Sequence, residues 1–148
     1  MSNQSDKKIE EALAEIYRNA QLALQSISNI LPETDDEEVR NELQTQHEEY
    51  ERFSAKAAML AQDLDIEVKE PNAMKKVMMW GSIKLNTLTD NSRAHIADMM
   101  IQGTVMGITS LRTTASRLSP EDNQEILSLL EEIIKAEEEF EKKWKEYL

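Results

Sequence analysis

Four long segments of the chain carry apolar side chains at alternating spacings of three and four residues. This spacing places the apolar side chains on one face of a helix, so each segment is predicted to be an amphipathic α-helix. The predicted helices are A (6–31), B (34–65), C (91–118) and D (120–147). In helix A the apolar stripe comprises Ile9, Leu13, Ile16, Ala20, Ala23, Ile27 and Ile30.

Residues with strong preferences for helix ends mark the boundaries of these segments. Pro32 ends helix A because its ring removes a backbone donor and restricts the preceding residue. Thr34 and Glu37 have the spacing of a capping box, which starts helix B, and Ser119-Pro120 starts helix D. Since both connections are short, A with B and C with D are predicted to form two hairpins.

The middle of the chain contains a shorter amphipathic segment at residues 72–88. One continuous helix over 72–118 would be roughly 70 Å long, whereas helices A, B and D are about 40 Å long. We therefore expect the polar residues at 89–92 to interrupt it, which leaves a crossover helix at 72–88. Two hairpins joined by a long crossover have ferritin-like connectivity. The prediction is an all-α, ferritin-like four-helix bundle in one domain (6–148), preceded by a flexible N-terminus (1–5).

Composition restricts the partners and the chemistry of the protein. The 148 residues carry a formal net charge of −12 and include no cysteine. The negative charge disfavours nucleic acid and anionic membranes as partners, because their phosphate groups would be repelled. The lack of cysteine excludes disulfides and thiolate sites. No apolar run approaches the ~20 residues of a membrane span, so we expect a cytoplasmic protein.

The most specific run of the sequence extends from Trp80 to Ser92 and continues from His95 through Met106-Gly107. This run resembles a group of small ferritin-like proteins of anaerobic, clostridial-type bacteria, and the resemblance covers nearly the whole chain. The resemblance implies a ferritin-like bundle and no particular activity.

A ferritin-like di-iron centre requires a defined set of ligands. Two helices each give one Glu and the other two each give Glu-x-x-His, all inward at one level. Gln44 stands three residues before His47, and a serine stands three residues before His95. Glu137 is followed at that spacing by Phe140. The sequence therefore predicts that a complete di-iron centre is absent.

The inward polar residues allow two interpretations. The first is a buried polar layer in which amides hydrogen bond with one carboxylate. Its predicted members are Asn19, Gln46, Gln102 and Glu137. The second is a weak site for one divalent metal ion, with the ligands Glu137, Gln46, His47 and Asp98. No other cofactor and no catalytic residue is predicted.

Two further features concern packing and association. Met78, Met79 and Trp80 form a consecutive apolar cluster that suits a subunit interface, or a crossover that simply lies over the bundle. Gly103 and Gly107 share a helix face, which favours either close backbone packing or a ligand pocket. The methionines are interpreted as flexible core filler rather than as a copper site.

Two functional hypotheses follow from these patterns. In the first, the chain is a non-catalytic ferritin-like protein that acts as a homo-oligomer or binds another protein. In the second, it is a metal-binding or metal-oxidising ferritin-like protein with an altered site.

Overall fold

The computed structural model of the protein describes residues 2–68 and 90–148, which contain four α-helices. In chain order the elements are α1 (Ser2–Ile30), a short 3-10 turn (Leu31–Glu33), α2 (Glu37–Asp63), α3 (Arg93–Ser116) and α4 (Pro120–Lys145). Helices α1 to α4 correspond to the predicted helices A to D. The predicted crossover helix at 72–88 lies outside the described residues.

Helix α1 begins earlier than the sequence suggests. Residues 2–5 continue the helix, although we predicted a flexible N-terminus there. The Ser5 hydroxyl donates a 2.7 Å hydrogen bond to Oδ1 of Asp122 at the start of α4. This contact attaches the first turn of α1 to α4, which the apolar pattern could not indicate because both residues are polar.

Helix α2 begins later than predicted, because Asp36 rather than Thr34 caps it. The Asp36 carboxylate accepts a 3.2 Å hydrogen bond from the backbone N–H of Val39. Thr34 instead accepts a 3.2 Å hydrogen bond from the backbone N–H of Asp36. An aspartate at the N-cap also places negative charge at the positive end of the helix dipole, so it suits this position better than the threonine.

The helix directions give the bundle its ferritin-like connectivity. Arg93, at the start of α3, donates hydrogen bonds of 2.7 and 2.9 Å to the Asp36 carboxylate at the start of α2. Helices α2 and α3 therefore begin at the same end of the bundle and run parallel. Residues 64 and 92 consequently lie at opposite ends of the bundle, as do the end of the second helix and the start of the third in ferritin-like folds.

The core lies between the four apolar stripes. Large side chains from every helix are fully buried there: Leu13, Ile16, Ile27, Ile30, Leu43, Phe53, Ile96, Leu111, Ile126, Leu130, Ile133 and Trp144. Within the described ranges, none of the helices combines the length and the hydropathy needed to cross a membrane. A few polar side chains, among them Gln46 and Glu137, are buried within this core.

Candidate functional site: a buried polar layer

Glu137 is a carboxylate in the middle of this apolar core. It lies on the inward stripe of α4, one turn after Ile133 and one turn before Phe140, and its exposed fraction is 1%. The same helical spacing that buries these apolar neighbours also points Glu137 inward. An ionised carboxylate at such a position is costly unless hydrogen bonds compensate for the lost water.

Two side chains from other helices donate to one oxygen of Glu137. The Tyr50 hydroxyl of α2 donates a 2.7 Å hydrogen bond to Oε2, and the Asn19 amide of α1 donates a 3.2 Å bond to the same atom. The other oxygen, Oε1, is buried and makes no hydrogen bond within the described part of the chain. Only one side of the carboxyl group is therefore satisfied.

Helix α3 contributes Gly107, whose missing side chain leaves room for this group. A Cβ atom at Gly107 would lie 2.6 Å from Oδ1 of Asn19 and 2.9 Å from Oε2 of Glu137. Both distances are shorter than van der Waals contact, so any larger residue would displace the two polar side chains. Asn19, Tyr50, Gly107 and Glu137 thus meet at one level of the bundle, and we call them the polar layer.

Burial dominates the electrostatics of the polar layer. It raises the pKa of the Glu137 carboxyl from 4.5 to about 7, although the hydrogen bonds from Tyr50 and Asn19 act in the opposite direction. Burial, followed by the nearby Glu137 charge, also raises the pKa of the Tyr50 hydroxyl well above its usual value. Tyr50 therefore remains a donor at neutral pH, while Glu137 titrates there.

Aromatic packing holds Tyr50 in place. Its ring centroid lies 5.6 Å from that of Phe140 and 6.3 Å from that of Phe53, which it contacts edge to face. Such aromatic pairs add to the free energy of burial. Phe140 occupies the position three after Glu137 at which the di-iron motif has its histidine, and there it orients the tyrosine.

A second buried polar contact lies nearer the C-terminal end of α4. The indole N–H of Trp144 donates a 3.0 Å hydrogen bond to Oε1 of Gln46, and Gln46 donates a 2.9 Å bond to Glu42. Gln46 is buried as predicted, but its amide oxygen accepts from Trp144, whereas the Glu137 carboxyl accepts from Tyr50. Both the oxygen and the nitrogen of the Gln46 amide have a hydrogen-bond partner.

Three other predicted site residues lie at the surface. Gln102 is exposed and donates a 3.0 Å hydrogen bond to Asp98, which is also exposed. His47 is half-buried and lies 3.1 Å from a carboxylate oxygen of Glu51 on its own helix. Gln102 was wrongly placed in the buried layer, because Gly103 and Gly107 rather than Gln102 face inward on α3.

The four residues predicted to form a single metal site do not lie together. Glu137 is central, Gln46 lies beside Trp144, and His47 and Asp98 are on separate outer faces. Across residues 2–68 and 90–148, no three His, Asp or Glu side chains converge closely enough to hold a metal ion. Met78, Met79 and Trp80, predicted to form an interface, lie outside the described residues.

Two members of the polar layer were missed as functional candidates. Tyr50 was not among the predicted site residues, and Gly107 was interpreted only as a site of close packing or a ligand pocket. One signal could have identified Tyr50: a buried tyrosine hydroxyl requires a partner, and Glu137 is a buried carboxylate in need of donors.

No protein-family model and no curated protein sequence matches the chain. Two solved structures are similar to it. The E. coli stress protein YciF has a TM-score of 0.82 at 12% sequence identity, over 96% of this chain and 92% of YciF. A protein from Xanthomonas campestris pv. campestris has a TM-score of 0.56 at 17% identity, over 96% of this chain and 89% of that protein.

At these identities the similarity establishes the fold and leaves the activity open. It confirms the predicted all-α fold class. The resemblance to proteins of clostridial-type bacteria stays a prediction. The chain thus has the fold of a small all-α four-helix bundle.

Proposed function

We propose that this chain is a ferritin-like bundle without a complete di-metal centre, which acts by association with itself or with another protein rather than by catalysis. One observation supports this most directly. At the level of the buried carboxylate, the four helices present Asn19, Tyr50, Gly107 and Glu137. Among these four residues, only the one on α4 carries a carboxylate.

The polar layer fits a di-metal centre poorly. Two divalent cations in a low-dielectric interior need several carboxylates to offset their charge. Here α3 offers a glycine, α1 offers a neutral amide, and the tyrosine of α2 donates a hydrogen bond to the Glu137 carboxylate. Hydrogen bonds from neutral groups stabilise the carboxyl in the manner of a structural polar network.

A second candidate function, metal binding or oxidation at an altered site, is favoured by one feature. Oε1 of Glu137 is buried without a hydrogen-bond partner among the described residues. Such an oxygen is available to a single ion. This second candidate would bind one metal ion rather than two, because a single carboxylate offsets less positive charge than the several carboxylates of a di-iron centre.

Metal analysis distinguishes the two candidates. The full chain is expressed with iron or manganese supplied, purified with and without air, and its metal content is measured by mass spectrometry. We expect substoichiometric metal in the wild type, in Glu137→Gln and in the control Glu131→Gln, whose carboxylate is exposed on the same helix.

Other outcomes have distinct meanings. Two ions per chain that are lost only in Glu137→Gln would overturn the proposal. One ion per chain that is lost only in this variant would favour the second candidate instead. Metal that is lost equally in both variants would point to nonspecific binding by an acidic surface and would leave the proposal standing.

A further inference from the structure

Two neighbouring helices present a surface that has no acidic side chain. The chain has no Asp, Glu, Lys or Arg at positions 19–32, in the second half of α1 and the turn after it, or at positions 99–111 of α3. The two stretches adjoin, because both contribute to one groove between α1 and α3, which is also lined by Arg18, the ion-pair partner of Glu15. We call this surface the α1/α3 face. It is notable on a chain whose net charge is −12.

The α1/α3 face contains both a groove and a projecting side chain. The groove has a volume of about 360 Å³, and Leu22, Gly103 and Gly107 are among the residues that line it. Met106 borders the same groove, and its exposed fraction is 52%. Val105 beside it is 41% exposed.

We propose that a second copy of this chain binds to the α1/α3 face, with Met106 of each copy in the groove of the other. A contact with two-fold symmetry uses the same patch on both subunits, so it requires a surface that complements itself. A projecting methionine beside a glycine-lined groove meets this requirement. The inference rests on the proposed function and specifies the surface through which self-association occurs.

Charge supports a second copy as the occupant. Two chains of net charge −12 repel each other, and apposed acidic helix faces would increase the energetic cost. A face without acidic side chains can be buried against its own copy without bringing carboxylates together, and Arg18 at its groove is already paired with Glu15. Methionine is enriched at interface cores because its flexible, polarisable side chain adapts to a partner surface.

The dimensions of the face predict a weak dimer. A stretch of thirteen helical residues is about 20 Å long, and packed helices are about 10 Å apart. The face therefore covers a few hundred Å², near the lower end for specific interfaces. We expect a rapidly reversible dimer that forms at high micromolar concentrations.

Sedimentation velocity over a micromolar to submillimolar range tests the proposal with the full chain. The weight-average mass of the wild type should rise from 17.0 kDa towards twice that value. Met106→Glu should weaken dimerisation at least about tenfold, since it would bury a carboxylate in a groove whose arginine, Arg18, is already paired with Glu15. Met59→Glu is the matched control, because Met59 is 64% exposed on α2, outside the face.

Salt provides an independent measurement. Raising the NaCl concentration to about 0.5 M screens the repulsion between like-charged chains, so the dimer should become more stable. Salt would instead weaken an interface built from ion pairs, and that result would overturn the proposed site. Circular dichroism of both variants checks that each is folded, as expected for substitutions of exposed side chains.

The possible results distinguish failure of the proposed dimer site from failure of the proposed self-association. A wild type that remains monomeric over the whole range would contradict self-association and the site together. A dimer that Met106→Glu and Met59→Glu weaken equally, or that neither affects, would retain self-association and exclude the α1/α3 face. Loss in Met106→Glu alone, with a stronger dimer at high salt, is the expected result.

Discussion

The hydroxyl of Tyr50 donates a 2.7 Å hydrogen bond to Oε2 of Glu137, which connects α2 to α4 in the centre of the bundle. Asn19 donates to the same oxygen, so both donors are on one side of the carboxyl group. This arrangement stabilises the ionised form of Glu137, while burial opposes it. The balance between these effects determines how the protein should respond to pH and to substitution.

Stability should fall as the pH rises through the range in which Glu137 titrates. The folded-state pKa of about 7 lies above the ordinary 4.5, so the folded state binds the proton more tightly than the unfolded state. This contribution is fully present below pH 4.5 and is lost as the pH rises through 7. At about 1.4 kcal/mol per pH unit, the loss is roughly 3 kcal/mol.

Glu137→Gln should remove this part of the pH dependence. Because glutamine resembles the protonated carboxyl, the variant should match the wild type near pH 5 and be more stable near pH 8. Urea denaturation across the pH range measures the difference, and Glu131→Gln serves as the exposed control. Parallel curves for wild type and Glu137→Gln would mean that the Glu137 pKa is ordinary.

Tyr50→Phe should destabilise the protein most when Glu137 is ionised. The substitution removes a hydrogen bond that lowers the pKa of Glu137, so that pKa should rise further. The expected loss is about 1–3 kcal/mol at pH 8, and it should be smaller at pH 5. Tyr17→Phe on α1 is the control, and equal losses in both variants would count against a specific Tyr50–Glu137 contact.

Gly107→Ala should destabilise the bundle even though alanine is the better helix former. The added Cβ would lie 2.6 Å from Asn19 and 2.9 Å from Glu137, whose side chains are held by packing and hydrogen bonds. Overpacking of this kind costs about 1–3 kcal/mol, against a gain of about 1 kcal/mol in helix propensity.

The clash at Gly107 can be tested by a second substitution. Asn19→Ala removes the nearer of the two obstructing side chains, so Gly107→Ala should cost less in that background. A double-mutant cycle by thermal or chemical denaturation measures this coupling. Additive effects would show that the two positions do not meet.

Gln46→Leu should cost about 1–3 kcal/mol, because it leaves the buried indole N–H of Trp144 without its acceptor. Gln44→Leu, on the exposed side of α2, should change the free energy of unfolding by less than about 0.5 kcal/mol. Chemical denaturation compares the two. Similar values for both variants would contradict a structural role for the Trp144–Gln46 bond.

The periodicity of the sequence was sufficient to predict which face of α1 is buried. Every residue of the predicted stripe in α1 is buried, from Ile9 to Ile30. On α3 the sequence offers less contrast, and the apolar Met106 is exposed. Residues 99–111 include no charged side chain, so no polar face distinguishes the outside of this helix from the inside.

The candidate site was only partly predictable. Glu137 could be located because an isolated carboxylate interrupts an otherwise apolar stripe. Its tyrosine partner is 87 positions away, so the contact depends on helix register and packing, which no local pattern encodes. Gln102 was misplaced for the same reason, since a rotation of α3 by one residue changes which side chains face the core.

Helices α1 and α4 both begin at the end of the bundle where Ser5 contacts Asp122, and this parallel packing has a kinetic consequence. Asn19 and Glu137 are 118 positions apart, whereas the contacts within each hairpin are more local. Because contacts distant in sequence are expensive to close, the hairpins should form before α1 docks on α4. Substitutions at Glu137 should then accelerate unfolding and leave the refolding rate nearly unchanged.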